Sequence, residues 1–511
     1  MPSYLSPGVY VEEVSSGSKP IEGVGTAICA FVGFAEKGPV DEPVLVTNWT
    51  QYCQTFGEFT PGAYLAHTVY AYFLNGGGSA YVVRVDGSAD ADGREAAAAA
   101  AVLTDTSGRP ALTARAIQPG AEGNALSIEV QEGSEARDGA FKVIVKADGK
   151  PVEAFDVNAL RKGGNLFEAI RGRSMCVTLE PVQGTAPGAP LMRGEVPLTG
   201  GADAVEGPTP LNPAVFIGSA ADRTGLSALE AVDDVTMVTV PDLMSAHLAG
   251  RLDEDGVKAV QLAMIAHCEL MADRVAILDT PAGLNAQQVR TWRETTTGYD
   301  SKQAAMYWPW VKAVDPVSGK PALFPPSGHI AGIWARSDDT RGVHKAPANE
   351  VVRGTLALEQ AITRGEHDQL NPLGVNCIRA FPGQGIRVWG ARTLSSDPEW
   401  RYLNVRRLFN YVEKSVLQGT NWVVFEPNDP KLWDSVKRTI TMFLRGVWRD
   451  GALYGRTPDD AFFVKCDEEN NPSEARDQGM LTVEIGIAVV KPAEFIVFRI
   501  SQLADGATLD E

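Results

Sequence analysis

Two stretches set the fold: Thr236–Val240 (TMVTV), which runs into Pro241-Asp242, and Arg274–Asp279 (RVAILD). Each is a short apolar run closed by a polar residue, the pattern of a strand covered on both faces. Between them, Val257–Met271 has helical spacing, with Val257, Val260, Leu262, Met264, Ile265 and Cys268 read as its apolar face. Strand, helix, strand predicts a sheet that is at least partly parallel. Working outward, the same rhythm appears earlier. Ala27–Phe34 (AICAFVGF) reads as a strand, Tyr64–Leu74 as a helix stopped by Asn75-Gly76-Gly77-Gly78, and Tyr81–Val85 (YVVRV) as a second strand. Met306–Val311 (MYWPWV) reads as a further strand, interrupted by Pro309.

Composition changes between these blocks. Residues 86–200 are rich in Ala, Gly, Asp and Glu and carry short β patterns at Leu126–Val130, Phe141–Val145 and Met175–Leu179. This predicts an inserted, mostly β domain. Beyond 375, two amphipathic helices are expected at Glu399–Gln418 and Pro430–Trp448, followed by strands at Leu481–Val490 and Glu494–Gln502. The expected division is an arm at 1–20, a core in two parts at 21–86 and 203–375, and an insert at 87–202. A C-terminal domain at 376–494 and a last arm at 495–511 complete it. No repeat of 20–50 residues is visible.

A chain of 511 residues with a net charge of −18 is a poor candidate for coating nucleic acid or anionic membranes. Six cysteines lie far apart without a C-x-x-C pair, which predicts buried free thiols in a reducing compartment. The first residues, MPSYLSPGVYVEEV, show neither a basic nor an apolar signal region, and no apolar run approaches the ~20 residues of a membrane helix. Synthesis and folding in the cytosol are expected.

Reactive groups are hard to place. Gly149-Lys150 and Gly319-Lys320 are each followed by proline, so neither completes a phosphate loop. H-E-x-x-H and G-x-S-x-G are absent, and the six histidines show no metal-ligand spacing. Ser327, His329 and Asp338, with Asp339 beside it, form the most tempting cluster. A nucleophile and its base are brought together in space rather than in sequence, and helix capping accounts for Ser327 and Asp338 equally well. The reading is therefore non-enzymatic, with no catalytic residue, no cofactor and no metal.

Phe324–Glu350 (FPPSGHIAGIWARSDDTRGVHKAPANE) closely resembles the signature stretch of contractile tail sheath proteins. Further matches follow in order: Leu5–Glu13 (LSPGVYVEE), Gly120–Leu126 (GAEGNAL), Gly200–Asp203 (GGAD), Arg223–Leu226 (RTGL), Asn376–Arg379 (NCIR) and Val388–Leu394 (VWGARTL). Asn404–Arg407 (NVRR), Phe425–Asn428 (FEPN), Gly451–Gly455 (GALYG) and Pro492–Phe495 (PAEF) complete the series. Glu122 departs from the aromatic that similar sheaths often carry. The resemblance implies an α/β core of subtilisin-like fold without the catalytic triad, an inserted β-rich outer domain, and an α+β C-terminal domain with strand-exchanging terminal arms.

It also implies a structural subunit of a contractile injection system, stacked in six-fold rings around an inner tube protein and bounded by baseplate and tail-terminator or cap proteins. The alternatives are a contractile phage tail and, from another class, an α/β hydrolase. Neither nucleic acid nor direct membrane insertion is expected, and the subunit is expected in the cytoplasm of the producing bacterium until the particle is released. For strand exchange the expected residues are Val9, Tyr10 and Val11 at one end and Phe495, Ile496, Val497 and Phe498 at the other. Residues 376–465 hold 14 Lys+Arg against 9 Asp+Glu, a local excess in an acidic chain. Lys431, Lys437, Arg438, Arg445 and Arg449 on the Pro430–Trp448 helix are the expected tube contacts. Arg401, Arg406, Arg407 and Lys414 on the preceding helix are the second choice.

Overall fold

The computed structural model describes residues 20–87, 97–132, 140–158, 170, 173–182, 191–201 and 209–498. They fall into two compact units, one within 88–210 and the other formed by the residues on either side of it.

The larger unit is built on a nine-stranded sheet. Its strands are β1 (Cys29–Gly33), β2 (Val44–Val46), β3 (Ala80–Arg84), β4 (Met237–Thr239), β5 (Val275–Asp279), β6 (Ala304–Trp308), β7 (Glu350–Val351), β8 (Val375–Phe381) and β9 (Gly385–Val388). Their spatial order is β7-β9-β8-β6-β5-β4-β1-β3-β2. From β8 to β3 every pairing is parallel, and the antiparallel strands lie at the two edges. All residues of β1, β5 and β6 are buried, which is why they read as unbroken apolar runs. The run at 306–311 splits at Pro309. β6 ends at Trp308, and Val311–Val314 joins a separate three-stranded sheet with 321–324 and 355–358. Proline has no N–H to give the ladder.

Helices cover both faces. On one side, α2 (Glu254–Met271) packs Val257, Val260, Met264, Ile265 and Cys268 against the sheet. Leu262, expected on this face, is exposed: it stands about 200° around the helix from Val260. On the other side lie α1 (Leu65–Asn75) and α3 (Ser327–Arg341). α3 is buried almost all round from Ser327 to Ala335. Gly328 and Gly332 make this possible, because a Cβ at either would overlap the backbone carbonyl oxygen of Thr68 or Tyr72 on α1. Asp242 ties β1 to α1, its carboxylate accepting from Phe34 N at 2.6 Å and from the Tyr64 amide. Burial pushes this carboxyl up to about 6.

The smaller unit is mostly β where described, with one short 3-10 turn at Ala121–Ala125. A four-stranded antiparallel sheet (194–197, 126–132, 140–147, 150–158) and a three-stranded one (100–104, 110–116, 177–181) share an apolar core that includes Ala114, Ile128, Val143 and Leu179. In the larger unit, one residue holds both ends of the interruption. Arg251 donates from Nη2 to the Gly87 carbonyl at 2.7 Å, and its own carbonyl accepts from Leu211 N at 2.7 Å.

The C-terminal part adds α4 (Leu403–Gly419), α5 (Pro430–Arg449) and a two-stranded antiparallel sheet of β10 (Phe462–Lys465) and β11 (Glu484–Ile487). The strand expected over 481–490 is thus shorter. The one expected over 494–502 is not formed across its described part, where residues 491–498 pair with no other strand among the described residues. A β-prone sequence needs a neighbour to pair with. The six cysteines are free, four of them buried and two half-buried.

Candidate functional site

The C-terminal part concentrates what the rest of the chain leaves unpartnered. α5 starts at Asp429, whose side chain accepts from Leu432 N at 2.8 Å, with Pro430 at the first helical position. Leu432, Val436, Ile440, Leu444 and Val447 are buried, and Phe443 is half-buried. Lys431, Lys437, Arg438, Arg445 and Arg449 are all exposed, and none makes an ion pair among the described residues. Positions 431, 438 and 445, and 442 and 449, repeat every seven residues and so form one line along the helix. Exposed Met442 lies in that line, and Lys437 stands to its side.

α4 turns out otherwise. Of its expected free cations only Arg401, just before the helix, is exposed. Arg406 is buried, bonded to Asn410 Oδ1 at 2.7 Å and Glu413 Oε2 at 2.9 Å. Arg407 donates from Nη1 and Nη2 to the two carboxylate oxygens of Asp338 at 2.9 and 2.5 Å, and from Nη2 to the Thr26 carbonyl at 3.0 Å. Its guanidinium also lies 4.9 Å from the Trp334 ring centroid. Lys414 reaches Asp273 Oδ2 at 2.5 Å and the Asp233 carbonyl. Arg407 and Lys414 thus fasten α4 to the α/β core, whereas Arg406 bonds within α4.

Beside α5, β11 pairs with β10 on one side only. Among the described residues its other edge has no strand partner, and half-exposed Leu481, Val483 and Ile485 line a groove of about 720 Å³ with Val416, Leu432 and Ile440. Over the groove mouth, Phe425 sits in the left-handed region (φ 69°) with its ring fully exposed, next to exposed Val424. An open edge above an apolar groove is a template for an added strand.

The chain end supplies apolar residues of the same kind. Glu494 is gripped by Arg392 through Nε–Oε1 at 2.9 Å and Nη2–Oε2 at 2.5 Å, with Asn371 Nδ2 at 3.0 Å and the Tyr402 hydroxyl at 3.4 Å. Burial raises this carboxyl, but the bonds from Arg392, Asn371 and Tyr402 outweigh it and hold the group below its usual range. Immediately after it, Phe495, Ile496, Val497 and Phe498 are 75%, 73%, 76% and 84% exposed. Four consecutive apolar side chains in water are exceptional for a surface. Val9, Tyr10 and Val11 lie outside the described residues.

Ser327, His329 and Asp338 are not assembled for chemistry. Ser327 is fully buried at the start of α3, its N–H bonded to Asp279 Oδ1 at 2.9 Å. Burial pushes Asp279 up to about 7 and buried His329 down to about 4. Asp338 lies eleven residues further along the helix, about 16 Å away at 1.5 Å per residue, and is engaged by Arg407. Among the described residues, no three His, Cys, Asp or Glu side chains converge as metal ligands, and no helix is long and apolar enough to cross a membrane.

The chain also matches known protein families. Residues 223–394 match the phage tail sheath protein central domain, and residues 395–502 the phage tail sheath C-terminal domain, together more than half the chain. The tail sheath protein of Vibrio phage KVP40 is 32% identical over 178 residues, 34% of this chain and only a quarter of that protein's length. The tail sheath protein of Burkholderia phage BcepMu is 24% identical over 519 aligned positions, covering 96% of this chain and 95% of that one. Among solved structures, the helical sheath of the anti-feeding prophage in its contracted state superimposes with a TM-score of 0.59 at 22% identity, over 98% of this chain and all of that one.

Proposed function

The chain belongs to the contractile tail sheath family, and on that premise we propose that it polymerises around an inner tube as a metastable extended sheath whose contraction drives the tube through a target envelope. One observation carries this reading: the C-terminal part combines an open strand edge over an apolar groove with an exposed apolar chain end. The described residues of one subunit leave both unsatisfied, and neighbouring copies satisfy both by strand exchange through Val9–Val11 and Phe495–Phe498. Such backbone-bonded links hold subunits together while their bodies slide. The stored energy then lies in packing with a downhill alternative, and no catalysis or nucleotide is needed. The α/β core acts as a subtilisin-like scaffold without the triad.

The exposed line of Lys431, Arg438, Arg445 and Arg449, with Lys437 beside it, faces the tube, and its partner is an acidic surface. Such contacts are individually weak and release during contraction. A phage tail is the alternative setting, favoured by the Vibrio and Burkholderia phage relatives. Particles carrying a DNA-filled head in the producing strain would identify it.

Deleting residues 1–14 tests the central claim. The expected outcome is a folded subunit that no longer polymerises, seen by circular dichroism and electron microscopy. Long sheaths of normal appearance from this truncation would refute strand exchange.

A further inference from the structure

The C-terminal arm leaves the molecule from the α/β core, not from the small sheet that offers the open edge. After β11, Leu453 bridges to Val489, and Val490 makes its last bonds, N–H to the Ala452 carbonyl at 3.4 Å and carbonyl to Asn404 Nδ2 at 3.1 Å. The chain then runs through Pro492 and Ala493 to Glu494, where Arg392 closes on it with two parallel bonds. Arg392 is 7% exposed and is itself fixed to the sheet, because its N–H donates to Asn376 Oδ1 at 2.7 Å and Asn376 belongs to β8. Its Nη1 also holds the Asn371 carbonyl at 3.1 Å. The next four residues, Phe495 to Phe498, are exposed.

We propose that the Arg392–Glu494 clamp is the mechanical anchor of the donated arm, passing tension from residues 495–511 into the nine-stranded sheet and shielding the strand-accepting edge of β11 from it. Without the clamp, a pull on the arm would act through residues 491–494 on the few bonds of 488–490 and then on β11, a four-residue strand with one partner among the described residues. Short two-stranded pairings are weak. A bidentate, charge-assisted Arg–carboxylate pair backed by a large sheet is the stronger fixture. Arg392 and Glu494 are therefore positioning residues: they bond no neighbouring copy themselves, and they set where its load enters. This inference rests on the strand-exchange reading.

The test uses sheaths assembled from the full-length chain carrying Glu494→Gln, which keeps the shape and removes the charge. Polymerised sheath is titrated with urea and scored by sedimentation, and the unpolymerised subunit is unfolded in parallel. The expected result is subunit loss from the sheath that is about tenfold faster or more, well beyond what the fall in the free subunit's own unfolding midpoint accounts for. An unchanged sheath, or a sheath and subunit that weaken in step, overturns the proposal, the latter because it marks a merely structural bond. If Glu494→Gln does not fold, Arg392→Lys keeps the charge without the two-point grip and is read in the same way. Deletion of 495–511 separates the two ideas. Normal sheaths from that deletion remove strand exchange and the clamp together; lost assembly, alongside unaffected Glu494→Gln sheaths, removes the clamp alone.

Discussion

Replacing Asp338 by Ala leaves a guanidinium inside the protein with most of its partners gone. Arg407 and Asp338 are each 4% exposed at the side chain, and the carboxylate also accepts from Thr26 Oγ1 at 2.7 Å. After the substitution, Arg407 retains, among the described residues, the Thr26 carbonyl and the Trp334 ring face. Breaking a buried pair from one side costs about 3–5 kcal/mol, because the remaining charge stays desolvated. Against a total stability of about 5–15 kcal/mol, that is a large fraction. Urea unfolding of the unpolymerised subunit should show the loss as a lower midpoint with little change in slope. The double variant Asp338→Leu with Arg407→Met should recover much of it, since apolar pairs of similar volume often replace buried ion pairs without net cost. A single-variant cost below about 1 kcal/mol, or strictly additive losses in the double variant, would refute the account of this pair as a closed, dry link between α4 and α3.

Two further outcomes follow from the charges. Asp279 is raised by burial to about 7, so the protonated form is the one the fold favours; its stabilising contribution is complete below about pH 4 and is lost as pH rises toward 7. Asp279→Asn should therefore stabilise the subunit at about pH 8, on the order of 1–3 kcal/mol, and lose that advantage near pH 4; an equal effect at both would contradict the assignment. Charge reversal at Lys437, Arg438 and Arg445 should change subunit stability by under about half a kcal/mol while separating sheath from tube in co-sedimentation. Extended particles at normal yield that still fire would show a solvated face.

Much of the α/β core was legible because burial on both sheet faces leaves a simple trace, as in Val275–Asp279 and Cys29–Gly33. α5 was legible because one side is apolar and the other is not. α4 shows where periodicity stops informing. Arg407 and Lys414 carry the same charge as Arg438, yet they are buried, because Asp338 and Asp273 come to meet them from distant parts of the chain. No local pattern encodes that pairing. The Gly328-x-x-x-Gly332 spacing was a readable sign of helix α3 crossing α1 closely, although the partner carbonyls at Thr68 and Tyr72 were not. Phe495–Phe498 reads as a strand by composition, and a strand is only half specified until its neighbour is present.

Arg251 holds Gly87 and Leu211 from the core side. To the larger unit, everything from 88 to 210 is then a loop whose two ends are already fastened. The entropy of closing such a loop grows only by about 0.6 kcal/mol per doubling of its length. The position therefore works as an exchangeable cassette. The segment inserted there can lengthen, shrink or be replaced over evolutionary time with little consequence for the nine-stranded sheet, so relatives that share the scaffold are free to differ most between these two positions.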